Sequence, residues 1–214
     1  MQSWHDHRMD AQTIPLFPLS TVLFPDGYLP LQIFEVRYLD MVKRAITDGT
    51  PFGVVSLIEG AEVRAPDRIE SFADIGTLAH IASATTPMPG LIQIQCTGGS
   101  RFRIERSERL KHGLWMAEVS ALADDQMVAI PAELEDTAAA LAELIKTLAQ
   151  EDVPAHEMPL QPPFRLDECG WVANRWAELL PLPPGQKHRL LALDNPLLRL
   201  ELIQDMLNER GALA

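Results

Sequence analysis

The chain of 214 residues is 47% hydrophobic and 22% charged, a composition that excludes a disordered segment and is sufficient for a substantial buried core. Its 30 acidic residues outnumber its 18 basic residues, and the formal net charge of −12 disfavours general binding to nucleic-acid backbones. Two widely separated cysteines, no apolar leader and no apolar run of membrane-spanning length predict a cytoplasmic protein with no disulfide and no membrane partner.

The first twelve residues are polar and predict a flexible tail. His5, Asp6 and His7 lie in this tail. A specific metal site requires several convergent ligands held in place by structure, so we predict no bound metal and no cofactor. From Thr13 onward, short apolar runs are interrupted by prolines, which is typical of strand edges and turns.

Strands dominate the predicted N-terminal part. Residues 28–33 predict a strand, and apolar residues then recur at helical spacing over residues 34–46 until Asp48 and Gly49 end the helix. Further β-rich stretches occupy residues 52–58, 76–82, 91–97, 101–105 and 114–119. The glycine-rich residues 98–100 predict a turn, and the charged residues 59–74 predict a mobile loop. Strands at such short spacing predict a small, twisted, partly closed sheet.

Helices dominate the predicted C-terminal part, because the apolar period changes from two to 3.6 residues near Asp124. One helix carries the apolar stripe between residues 134 and 148, and Asp167 is the predicted cap of the next. Residues 186–193 predict a short helix, and Asn195 followed by Pro196 predicts the start of a last one. The apolar face expected for that last helix consists of Leu198, Leu202, Met206 and Leu207. Strands followed by helices predict an α+β fold.

A series of short motifs runs along nearly the whole chain. Residues 14–42 read IPLFPLSTVLFPDGYLPLQIFEVRYLDMV, and later motifs are FGVV at 52–55, IGTLA at 75–79, GSRFRI at 99–104 and LPL at 180–182. Together these motifs, in this order, resemble the N-terminal domain family of Lon proteases. The resemblance extends from about Thr13 to Leu207.

The resemblance implies a PUA-like β-rich subdomain at residues 13–124, joined to a helical bundle at residues 125–214. It also implies a role in recognising polypeptide, because this domain selects substrates for the protease. The sequence departs from full-length Lon in having no GxxxxGK[ST] motif to hold nucleotide phosphates and no region onto which the Ser–Lys dyad of the protease can be carried. We therefore predict a non-catalytic module that binds unfolded or partner polypeptides, with a separate ATP-dependent protease as a candidate partner.

Two groups of residues are candidates for the polypeptide-binding surface. Glu35, Arg37 and Tyr38 open the first predicted helix; in the alternative interpretation Tyr38 is core and the two charged residues are simply solvated. Met158 and Leu160 are flanked by prolines, and their exposure would create an apolar patch for other chains. We predict no catalytic residues, because no recognised motif ties a histidine to a nucleophile.

Residues 101–111 support one alternative function, because they contain five basic residues. PUA-like folds also occur in RNA-binding proteins, so Arg101, Arg103 and Arg106 form a candidate nucleic-acid patch. Strand alternation would place Arg101 and Arg103 on one solvated face together with Glu105, and no aromatic residues are interleaved for base stacking. Nucleic acid is therefore the less favoured partner.

Overall fold

The computed structural model describes residues 12–59, 70–151 and 158–213. Within these residues, the N-terminal part contains β1 (Gln12–Leu19), β2 (Tyr28–Ile33), α1 (Val36–Asp48), β3 (Phe52–Glu59), β4 (Ser71–Met88), β5 (Leu91–Arg109) and β6 (Trp115–Ala121). The C-terminal part contains a 3-10 turn (Ala132–Leu134) followed by α2 (Glu135–Gln150), α3 (Cys169–Leu179), α4 (Pro184–Leu191) and α5 (Pro196–Glu209). The predicted α+β class is confirmed.

The sheet closes on itself and leaves one strand outside the closed ring. Its order is β2-β5-β4-β3-β1-β6, and β5 also pairs with β6, so five strands form a small barrel. The β1–β3 pair is parallel and the other pairs are antiparallel. Strand β2 pairs with the first part of β5, from Ile92 to Thr97, and therefore lies at the edge of the sheet.

The turn predicted at residues 98–100 is wrong, because β5 is one continuous strand of 19 residues. Gly98 is required there for a close approach of two backbones: a Cβ at this position would lie 2.0 Å from the carbonyl oxygen of Phe24. The amide of Gly98 also donates to the carbonyl of Gly27 at 2.8 Å. Strand β4 is likewise longer than predicted, and residues 82–90 form the exposed end of a β4–β5 hairpin.

The helix ends divide into those set by local sequence and those set by packing. The predicted stop of α1 is confirmed, since Gly49 adopts a left-handed φ of 64°. The predicted cap of α5 is also confirmed, because the side chain of Asn195 accepts hydrogen bonds from the amides of Leu197 and Leu198. Asp167 does not cap α3, whose N-cap residue is Glu168 and has no side-chain cap bond.

The buried face of α5 is rotated from the predicted one. Leu200, Ile203 and Leu207 are buried, whereas Leu198 is 40% exposed. Arg199 is also buried, because its guanidinium makes hydrogen bonds inside the fold, and this turns the helix away from the face that the leucine pattern suggested.

One apolar cluster joins the helices to the strand-rich part. It contains buried residues of α3, α4 and α5 together with Val22, Phe24 and Ile75. Separate clusters fill the barrel and the space beneath α1. Both cysteines are buried thiols, as expected for small apolar side chains. The boundary between residues 124 and 125 stays a prediction.

Two predicted mobile segments lie largely outside the described residues. The predicted tail of residues 1–12 is described only at Gln12, which belongs to β1. Of the predicted loop at 59–74, Glu59 belongs to β3 and residues 71–74 belong to β4, so the loop prediction is wrong at both ends. Glu70 is buried and hydrogen-bonded.

Candidate functional site

A groove of about 740 Å³ runs along the edge strand β2. Besides β2, its walls come from four separate stretches of the chain: residues 21–23 after β1, residues between 83 and 95 of the β4–β5 hairpin, residues 158–159, and the C-terminal end of α3. Residues 28–32 of β2 all line the groove. A smaller groove of about 170 Å³ shares residues 30–32 and continues to Phe34, which is 57% exposed. The two grooves therefore follow β2 along its length.

The walls of this groove are almost free of charge. Residues 27–34 and 75–100 contain no Asp, Glu, Lys or Arg, although 22% of the chain is charged. Apart from Glu178, the polar lining of the larger groove is neutral, with Ser83, Thr85, Gln93 and Gln95 as examples. Leu29, Leu31 and Ile94 supply apolar surface. Such a lining suits apolar and neutral polar groups, because a charged group would lose its hydration without meeting a counter-ion.

Glu178 is the charged residue of the groove lining, and its carboxyl group is engaged inside the protein. It accepts a hydrogen bond from the amide of Phe24 at 3.2 Å and pairs with Arg175 at 3.2 Å. Burial raises the pKa of this carboxyl to about 7, although Arg175 and the Phe24 amide act in the opposite direction. The carboxyl also lies over Gly27, where a Cβ would be 2.0 Å from its oxygen. Glu178 thus holds α3 against the loop before β2.

Met158 and Leu160 have different environments in the structure. Met158 is half-buried and lines the groove beside Pro159. Leu160 is 2% exposed and belongs to the apolar cluster of the helices, so its predicted exposure is wrong. Proline neighbours did not keep Leu160 at the surface, because the segment folds back onto the helices.

Glu35, Arg37 and Tyr38 also have different environments. Arg37 and Tyr38 are buried, so the interpretation of Arg37 as a solvated residue is wrong. The Arg37 guanidinium donates to the carbonyl of Gly113 at 2.9 Å and to the carboxylate of Glu70 at 3.3 Å, which accounts for its burial. Glu35 pairs with it at 3.1 Å. Glu35 and Tyr38 line the smaller groove, whereas Arg37 anchors the start of α1.

The predicted basic patch does not form one surface, because Arg101 is only 3% exposed. Its guanidinium donates to the carbonyls of Leu191 at 2.8 Å and Ala123 at 3.0 Å, and it pairs with Asp194 at 3.2 Å. The predicted alternation holds, but the helices cover the outer face of β5 at this position. The solvated position expected for Arg101 is therefore wrong.

The two remaining arginines of the patch lie beside acidic residues. Arg103 is 49% exposed and pairs with Asp74 at 3.8 Å. Arg106 is exposed and stands opposite Glu118 of β6. Two partly neutralised arginines on a chain of net charge −12 make a weak footprint for nucleic acid.

The described residues that line the groove include one carboxyl group, that of Glu178, and no Cys, His, Lys or Arg. Within residues 12–59, 70–151 and 158–213, no group of three or more His, Cys, Asp or Glu is placed to hold a metal ion. Burial raises the pKa of the Cys96 thiol to about 12, so this cysteine is not an activated nucleophile. His5, Asp6, His7 and His156 lie outside the described residues.

No helix in the described part of the chain has the length and apolar character needed to cross a bilayer.

Sequence reasoning missed the groove because its walls meet only in the folded chain. Leu31, Thr85 and Glu178 lie on different elements and become neighbours of one cavity through the closure of the sheet and the packing of α3. A signal was nevertheless present: 26 consecutive residues without a charge, 75–100, form strands that are partly exposed.

Comparisons with known proteins give one consistent result. Residues 13–209 match the family described as the ATP-dependent protease La (LON) substrate-binding domain. Two curated relatives are a Lon protease of Anaeromyxobacter dehalogenans (strain 2CP-C), 24% identical over 92% of this chain, and Lon protease 2 of Myxococcus xanthus, 26% identical over 93% of it. The chain spans 23% and 24% of the lengths of these two relatives.

Two solved structures have the same fold. A Lon N-terminal domain protein from Xanthomonas campestris is 31% identical, with a TM-score of 0.70 and coverage of 91% of this chain and 98% of that one. The N-terminal domain of a Mycobacterium avium complex Lon protease is 17% identical, with a TM-score of 0.59 and coverage of 91% and 97%; this second likeness concerns the fold alone.

Proposed function

This chain belongs to the family of LON substrate-binding domains, and from that premise we propose that it is a non-catalytic module that binds exposed segments of unfolded or partner polypeptides. The observation that carries the proposal is the nearly charge-free groove along β2. Its volume of about 740 Å³ accommodates several side chains of an extended segment. Apolar residues that are buried in folded proteins are available to such a groove only when a chain is unfolded or presents a free segment.

The absence of hydrolytic chemistry belongs to the same proposal. The matched family is a substrate-binding domain, and the groove lining offers one carboxyl group, Glu178, already bound to Arg175 and the Phe24 amide. A Ser–His or Cys–His type of nucleophilic site needs a nucleophile and a base within hydrogen-bond reach of each other, and the described lining contains no His or Cys. We expect a bound polypeptide to remain intact and its binding to be independent of ATP.

A separate ATP-dependent protease is the partner that we propose for this module. The curated relatives are Lon proteases, and this chain corresponds to about a quarter of each. Addition of the purified chain to the Lon protease of the same organism should change the rate of ATP-dependent degradation of an unfolded substrate. An unchanged rate over a range of concentrations would remove this partner and leave polypeptide binding untouched.

Fluorescence anisotropy tests the binding function. A labelled, permanently unfolded polypeptide without cysteines is titrated with the chain in the absence of nucleotide, and saturation is expected with a Kd in the range of about 1–100 µM. Electrophoresis after the titration checks that the polypeptide is uncut. Lack of saturation in this range would refute the proposed function.

Two adjacent threonines supply a matched pair of variants. Thr85 lines the groove, whereas Thr86 is also exposed on the hairpin but is not part of the lining. Tryptophan is compatible with strand structure at both positions. Thr85→Trp is expected to weaken binding about tenfold by filling the groove, and Thr86→Trp to leave the Kd within about twofold. Equal affinity of both variants would move the binding surface elsewhere on the protein.

A further inference from the structure

We propose that the bound segment is an uncharged, extended stretch of polypeptide that pairs as an additional strand with the outer edge of β2. This inference rests on the proposed polypeptide-binding function and adds the mode of recognition and the class of segment recognised. Backbone hydrogen bonds supply sequence-tolerant affinity in this mode, and the groove walls select the side chains.

The position of β2 makes such pairing possible. Leu29, Leu31 and Ile33 stand opposite Cys96, Ile94 and Ile92 of β5, and within the described residues no second strand lies beside residues 29–33. The larger groove is lined by residues 28–32 and the smaller one by residues 30–35, so both run along this edge. Six residues of strand span about 20 Å, which matches a bound segment of about six residues.

Pro30 determines which groups the edge offers. Proline has no amide hydrogen, and a strand accommodates it without losing a ladder bond only where its nitrogen points away from the partner strand. With Pro30 in that orientation, Leu29 and Leu31 complete the ladder with β5, and the carbonyls of Pro30 and Gln32 point outward. Between Leu29 and Ile33 the edge therefore offers two carbonyls but only one amide, that of Gln32, and the bound segment must contribute amide donors.

The charge distribution argues for an uncharged segment. Exposed sheet edges commonly carry lysine or another charge that prevents pairing with other chains. Residues 27–34 of this edge and residues 82–97 of the neighbouring hairpin carry none. Charged side chains of a bound segment would be desolvated between these walls, and acidic ones would also meet the net charge of −12 and the carboxyl of Glu178.

The same features disfavour a second copy of this chain as the occupant. Two β2 edges placed side by side would each present Pro30, so the pair would lose amide donors on both strands. Two chains of charge −12 would also repel each other. A foreign segment with a complete set of amides meets neither obstacle.

Alternately N-methylated peptides test the pairing directly. The parent is a neutral ten-residue peptide of alternating Val and Thr. In one analogue the even amides of the central segment are N-methylated, and in the other the odd amides. Strand pairing uses the amides of one parity only, so one analogue is expected to bind at least about tenfold more weakly than the other by anisotropy competition. Replacing one central Thr by Asp or by Lys is also expected to weaken binding at least about fivefold, and the Asp peptide is expected to bind more weakly than the Lys peptide.

Each result has a defined meaning. The proposal is supported if only one of the two N-methylated analogues loses affinity and if Thr85→Trp, but not Thr86→Trp, weakens binding. Equal affinities of the two analogues overturn strand pairing even if the unfolded polypeptide still binds. A different outcome is a dimer, detected by light scattering, that the parent peptide dissociates over the same concentrations at which it binds. That result assigns the edge to self-association in the free protein and overturns the argument against a second copy. Failure of both the peptide and the unfolded polypeptide to bind refutes the proposed function itself.

Discussion

Replacing Arg101 by methionine is expected to lower the free energy of unfolding by about 3–5 kcal/mol. Methionine keeps most of the aliphatic volume but leaves three acceptors without their donor: the carbonyls of Leu191, Leu193 and Ala123, at 2.8, 3.1 and 3.0 Å. Each unsatisfied buried carbonyl costs about 1–3 kcal/mol. The total stays below the simple sum, because two of these bonds are only partly buried and water can reach them.

The carboxylates around Arg101 suffer less from the substitution. Asp194 is 84% exposed and returns to water, and Asp125 keeps its hydrogen bond to Arg199 at 3.1 Å. For a chain of this size, a loss of 3–5 kcal/mol corresponds to a decrease in Tm of about 6–20 °C. Urea denaturation followed by circular dichroism and by tryptophan fluorescence measures the loss, with Trp115 in β6 and Trp171 and Trp176 in α3 contributing to the fluorescence.

Arg103→Met is the matched control, because Arg103 lies on the same strand and the same face but is 49% exposed. Its ion pair with Asp74 is long and hydrated, so the control should change stability by less than about 0.5 kcal/mol. If the free energies of unfolding of both variants lie within about 0.5 kcal/mol of the parent value, the inference that buried Arg101 stabilises the contact between β5 and the helices is refuted.

Three further outcomes follow from single side chains. Folding raises the pKa of the Glu178 carboxyl, so its stabilising contribution is present below pH about 4.5 and is lost as the pH rises through about 7. Relative to Glu178→Gln, the free energy of unfolding of the parent should fall by about 3 kcal/mol between pH 4.5 and 8. Parallel pH profiles of the two proteins would contradict this. Gly98→Ala should destabilise by about 2 kcal/mol or more, because a backbone oxygen lies 2.0 Å from the new Cβ, whereas Gly185→Ala in the open first turn of α4 should stabilise by up to about 1 kcal/mol in urea titrations. Cys96 and Cys169 should resist iodoacetamide at pH 8 in native buffer and react fully in denaturant, as read by mass spectrometry, and rapid native labelling would disprove their burial.

Features determined by a few neighbouring residues could be predicted from the sequence. The stop of α1 depends on the left-handed conformation of Gly49, and the start of α5 depends on the side chain of Asn195. The α+β class follows from the change of apolar period near residue 124, which is also a local property. These signals need no knowledge of what the chain packs against.

Features determined by distant partners could not be predicted in the same way. From the sequence, Arg37 and Arg101 are expected to be solvated. In the fold, Arg37 meets Glu70 and Gly113, and Arg101 meets the carbonyl at the end of α4. The glycine pair at 98–99 suggests a turn, but in the fold Phe24 approaches Gly98 and His80 of β4 approaches Gly99. The groove is the extreme case, because β2 and four other stretches of the chain build it and no short motif encodes it.

The bond between Arg101 and the carbonyl of Leu191 also bears on how the molecule is made, since 90 residues separate the two in sequence. A ribosome releases the barrel strands long before it releases α4 and α5. Until then the guanidinium in the middle of β5 must stay hydrated, and the face of the barrel that receives the helices must stay open to solvent. The nascent sheet therefore reaches its final stability only after α4 and α5 have emerged from the exit tunnel.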